Sequence, residues 1–184
     1  GWVGPEPHGA KLSNAGIRRD PLIADRIVAW LKDRYARRRA GDPAALRPFL
    51  LVASFVNPHD IVLFPAWARR NPLKPSRLDP PRIPPAPTAD EDLSTKPAAQ
   101  IAFREAYYSG YGPAQAIERT YRRNAQQYRD LYYRLHAEVD TPIDRVRRAV
   151  TEGGSADGPD DTVLVRTSDH GDLLGAHGGL HQKW

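Results

Sequence analysis

The stretch that most constrains this chain is its last, residues 162–184. It opens on Thr162-Val163-Leu164-Val165-Arg166-Thr167, a short apolar run rich in β-branched residues, after the turn-prone Gly158-Pro159-Asp160-Asp161. A run of that length and make-up predicts a buried strand. It gives way at Ser168-Asp169-His170-Gly171 to a carboxylate, an imidazole and a glycine. At the carboxyl end of a strand in an open α/β sheet, such groups collect in the crevice where ligands bind. Adjacent Asp169 and His170 can offer one oxygen and one nitrogen to a divalent cation. His177, His181 and Lys183 follow, spaced by glycines that let backbone pass close to a ligand.

A second apolar run, Phe49-Leu50-Leu51-Val52-Ala53-Ser54-Phe55-Val56, follows Pro48 and predicts a central strand buried on both faces. It stops at Asn57-Pro58-His59-Asp60, because Pro58 cannot donate to a ladder; His59 is then presented at the strand's end. Between the loop of residues 1–16 and this run, Leu22, Ile23, Ile27, Trp30 and Leu31 recur at helical spacing up to about Arg39. Asp20 before Pro21 suits an N-cap, and Gly41 a stop. Trp2 and His8, in the leading loop, read as loop packing or as part of a substrate-facing mouth.

Residues 65–97 are Pro-dense and predict extended, polyproline-like backbone held on the surface. A helix follows over residues 101–111. A longer helical stripe then runs through Ile117, Tyr121, Tyr128, Leu131, Leu135, Val139, Ile143 and Val146 to about Val150, with Pro142 expected to kink or split it. Tyrosines at that spacing read as core and core-edge packing rather than a base-stacking platform.

The string Ser168-Asp169-His170-Gly171-Asp172-Leu173-Leu174-Gly175-Ala176-His177-Gly178-Gly179-Leu180-His181-Gln182-Lys183 resembles the second metal-binding motif of the sulfatase family, within the alkaline-phosphatase superfamily. The run from Phe49 to Asp60 resembles the family's strand ending in a Pro-His step, so the likeness covers most of residues 48–184. The resemblance implies an α/β fold: part of an alkaline-phosphatase-like mixed, largely parallel sheet flanked by helices. Residues 1–184 would be an incomplete central portion of one catalytic domain, with 65–97 a Pro-rich surface insertion. It implies a metal-dependent, arylsulfatase-like hydrolase of sulfate esters, active only as part of a longer protein. Two alternatives stay open: a phosphonate monoester or phosphodiester hydrolase of the same superfamily, and a non-catalytic relative that only binds ligand.

By the same resemblance, Asp169 and His170 would be metal ligands, for Ca2+ first and Mn2+ or Mg2+ as alternatives. His59 would contact the sulfuryl group or protonate the leaving oxygen, and Lys183 would be catalytic, contacting the sulfuryl or phosphoryl oxygens. His177, facing the substrate, and His181, with the catalytic groups, would make supporting or leaving-group contacts, and Asp172 would support them or serve as a helix N-terminal carboxylate. Imidazole suits proton transfer because its ordinary pKa lies near neutrality. The family's nucleophile, a formylglycine made from Cys or Ser in a Cys/Ser-x-Pro/Ala-x-Arg motif, is expected outside these residues. The substrate would be a small-molecule or glycan sulfate ester.

Composition narrows the partners. The 184 residues carry a formal charge of +5, and only five of the 27 basic residues are lysines. A solvated Arg-heavy surface accounts for this, and no nucleic-acid partner is expected. No apolar run approaches the roughly 20 residues of a membrane span. With no cysteine, disulfides and thiolate metal sites are excluded within this sequence. Localisation is left open.

Overall fold

The structure is a computed structural model that describes residues 15–64, 74–107, 114–153 and 162–181. Its regular elements are helices: α1 (Ala15–Arg39), α2 (Pro43–Leu46), α3 (Ala98–Tyr107), α4 (Ala114–Arg123) and α5 (Ala125–Gly153). No strand occurs among the described residues. The chain divides into two compact units, residues 1–60 with 135–166 and residues 61–134 with 167–184.

In the first unit, α1 buries Ala24, Leu31 and Tyr35, with Ile27 and Val28 partly covered, against Val146 and Val150 of α5. That face is shifted from the expected stripe: Leu22 and Trp30 are more than a third exposed. Trp30 instead meets Phe49 edge-on at 5.2 Å, under the guanidinium of Arg34. The helix also starts earlier than expected, so Asp20 and Pro21 lie inside it rather than at its cap. Its end falls where Gly41 adopts φ +79, and the Gly41 and Asp42 amides close on the carbonyls of Arg38 and Arg37.

The α/β expectation fails here. Residues 48–56 carry no regular structure and form no ladder, although exposure alternates along residues 50–55 as it would in a strand. Leu51, Ala53 and Phe55 pack on the α1–α5 core, while Leu50 and Val52 are 91% and 74% exposed. One face is covered, not two. Residues 162–167 likewise form no ladder, with Val163 88% and Val165 76% exposed. A strand is completed by a neighbour that takes its row of N–H and C=O groups. Apolar, β-branched composition favours the extended conformation but cannot supply that neighbour.

In the second unit, Asp79, Arg82 and Ile83 meet the N-terminal part of α5. The Ile83 N–H donates to Asp130 at 2.9 Å, and its carbonyl accepts from Gln126 at 2.9 Å and Arg129 at 3.1 Å. Arg134 pairs with Asp79. Deeper in, Phe64, Tyr121, Tyr128 and His181 form one aromatic cluster with ring centroids 4.5–5.7 Å apart. Helix α5 passes through Pro142 as a single element.

Candidate functional site

His59 opens a short 3-10 helix, His59–Leu63, just after a cis Asn57–Pro58 bond; its N–H donates to the Val56 carbonyl at 3.0 Å, and its side chain is exposed. Two buried aspartates fix the turn that bears it. Asp20 accepts from the Val56 N–H at 2.7 Å and the Asn57 N–H at 3.0 Å. Asp60 accepts from the Gly16 N–H at 2.8 Å. Burial pushes both carboxyls above their ordinary range, against the pull of these backbone donors. The Asn57 carboxamide is buried beside Gly16, where a Cβ would stand 2.5 Å from Asn57 Cγ. A Cβ there would force the Asn57 side chain to shift.

Asp169 and His170 follow residues 162–167, largely in solvent. His170 Nδ1 lies 2.8 Å from the Gly171 carbonyl. A carbonyl only accepts, so Nδ1 carries the proton and Nε2 keeps its lone pair in the neutral ring. That Nε2 stands 3.6 Å from Asp169 Oδ2, a separation two donors to one cation can take. The backbone locks the pair: the His170 N–H donates to Asp169 Oδ1 at 3.0 Å and the Ser168 hydroxyl to the His170 carbonyl at 2.6 Å. The pair fits a divalent cation as part of its shell. No group of three or more His, Cys, Asp or Glu suited to a metal occurs among the described residues.

The chain after Asp172 is a tight loop. Asp172 accepts from the Leu174 N–H at 2.8 Å and from the Tyr128 hydroxyl at 2.6 Å. Leu174 and His177 both have φ near +50, and the loop closes through the Gly175 N–H to the Leu180 carbonyl at 2.7 Å. At Gly178 (φ +75) a Cβ would meet Arg104, the Glu91 carbonyl and Leu93 within 3.4 Å, so backbone can pass there only without a side chain.

His181 is 3% exposed, stacked on Tyr121 at 4.5 Å and edge-on to Tyr128 at 4.9 Å. Burial pulls its pKa down to about 4, so the ring is neutral at physiological pH. His177 is half exposed, with Nδ1 2.8 Å from Glu91 Oε2. Lys183, Trp2 and His8 lie outside the described residues. Asn57 and Asp60 flank His59 in the Pro-His motif without a role of their own in the sequence pattern, Asp20 reads from sequence only as a cap, and Glu91 lies in no motif. Glu91 meets His177 across 86 residues of chain, a distance no local pattern can bridge.

The sulfatase family profile matches residues 13–184, and the chain belongs to the sulfatase family. It is therefore a sulfatase-family hydrolase by descent. Searches of curated proteins and of solved structures each returned no match.

Proposed function

We propose that the chain forms part of a metal-dependent sulfuric ester hydrolase. The observation that supports this most is the His170 Nε2–Asp169 Oδ2 pair, 3.6 Å apart, in a chain whose family match runs through it. Asp169 and His170 would hold the cation, with Ca2+ as the first candidate; its chemistry would be to draw negative charge off the ester oxygens. Ca2+ prefers six to eight oxygen ligands, so a nitrogen donor keeps Mn2+ and Mg2+ open.

In the reaction the sulfur–oxygen bond to the alcohol breaks, the sulfuryl group passes to a nucleophile, and the leaving oxygen takes a proton. His59, exposed on a turn that Asp20 and Asp60 anchor, would give that proton. Lys183 would bind the anionic oxygens, and His177 would contact the substrate beside them. His181, buried and neutral, would act through hydrogen bonding rather than by carrying a proton. The nucleophile, proposed as formylglycine, would come from outside these residues: the sequence holds no Cys and no Ser-x-Pro/Ala-x-Arg string. The substrate would be a small-molecule or glycan sulfate ester.

The test is an assay of the whole protein containing this chain on phenyl sulfate and on a phenyl phosphonate monoester, with Ca2+, Mn2+ or Mg2+ added after chelation. Turnover of the sulfate that is lost on chelation, and in Asp169→Asn and His59→Ala, is the expected result. Turnover of the phosphonate alone would move the assignment to the phosphonate hydrolases, and turnover of neither to a ligand-binding relative.

A further inference from the structure

Residues 88–96 belong to the Pro-dense stretch in which the sequence singled out no residue, yet they grip the terminal motif at several points. His177 Nδ1 lies 2.8 Å from Glu91 Oε2. The Gly178 N–H donates to the Thr88 carbonyl at 3.2 Å, and the His177 N–H reaches Thr88 Oγ1 at 3.4 Å. The other Glu91 oxygen takes Lys96 Nζ at 2.6 Å. Lys96, and then His177, hold the Glu91 carboxyl below its ordinary range, so it is ionised and only accepts. Nδ1 must therefore be the donor, and in the neutral ring Nε2 is left with a lone pair. His177 itself sits at φ 52, ψ 53, a conformation that a non-glycine residue keeps only when its surroundings hold it.

We propose that Glu91 is a positioning residue that fixes the His177 tautomer and makes Nε2 an acceptor for a hydroxyl on the alcohol part of the ester. This rests on the reading that His177 faces the substrate. A lone pair opposes the anionic sulfuryl oxygens but suits a neutral O–H donor, so the dyad selects hydroxylated esters, such as sugar sulfates, over unsubstituted aryl sulfates.

Two measurements test it. In the 15N-histidine-labelled chain, long-range 1H–15N spectra should show the neutral His177 ring protonated on Nδ1. Glu91→Ala should give mixed tautomers, and Glu91→Gln, which keeps an acceptor oxygen, should restore the wild-type form. In the whole enzyme, Glu91→Ala should lower kcat/KM for a monosaccharide sulfate on the order of 10-fold, the worth of one hydrogen bond, and leave phenyl sulfate within about twofold. An Nε2-protonated wild type, or spectra indifferent to Glu91→Ala, would overturn the dyad. Equal losses on both substrates, or no loss on either, would overturn the selective role. A wild type inactive on both sulfates removes the sulfatase reading, and the ester-facing role with it; the spectra still decide the tautomer.

Discussion

At His181 the imidazole is shut between Tyr121 and Tyr128, and burial lowers its pKa from the ordinary 6.5 to about 4. The unfolded chain takes up that proton first as pH falls, so the folded state loses stability between pH 6.5 and about 4 and nothing further below. Two and a half units correspond to about 3 kcal/mol at most. Asp20 and Asp60 work in the opposite direction. Their folded pKa values are raised, so what they contribute is present at low pH and fades as pH rises through the folded value. We expect urea midpoints followed by circular dichroism to fall over the histidine window in the wild type. In His181→Phe that fall should disappear, leaving only the opposite trend of the two aspartates; its persistence would place the titration elsewhere. The neighbouring hydroxyl gives a second expectation. Tyr128 is fully buried and donates to the Asp172 carboxylate at 2.6 Å, so Tyr128→Phe should cost about 2 kcal/mol in the same experiment.

Among the elements, α1 shows what a local pattern can carry. Its apolar recurrence and the Gly41 stop are written within a few residues of where they act, and the helix ends at Arg39 as they imply. Asp20 reads locally as a cap because Pro21 follows it, but its carboxylate takes two amides from residues 56 and 57 instead. That competing partner lies 36 residues away, and the helix extends past Pro21 towards its N-terminus because Gly16 is held by Asp60. The tyrosine stripe of α4 and α5 was legible as core at Tyr121 and Tyr128; that it closes on His181 was not, since the ring stacks across 60 residues of sequence difference. Removing Asp20 tests the coupling between α1 and the turn that bears His59. Asp20→Ala leaves two buried donors without an acceptor and should destabilise by about 3 kcal/mol. Hydrogen exchange should quicken at the Val56 and Asn57 amides more than at Leu31, on the same helix but away from the turn. Uniform quickening would mean that Asp20 supports the core in general.

At the scale of the whole molecule, two apolar runs lie where no ladder forms among the described residues. Residues 49–56 and 162–167 have the composition of strands, which their β-branched side chains favour, yet neither run forms a ladder among the described residues. The sheet itself is a non-local property and had to be inferred from resemblance; among the described residues it is absent. The pattern of burial decides between a strand covered on both faces and a segment covered on one. Leu51, at a partly buried position on the α1–α5 core, should cost about 2 kcal/mol on truncation to Ala, and Phe55→Ala a little more. Leu50, its immediate neighbour and 91% exposed, should cost under about 0.5 kcal/mol, as should Val163→Ala at 88% exposure. The two leucines differ only in the face they present, so their contrast is free of composition and of helix propensity. Equal and large losses at Leu50 and Leu51, read from urea denaturation of this chain, would mean that both faces are covered in solution, which is the arrangement a central strand requires.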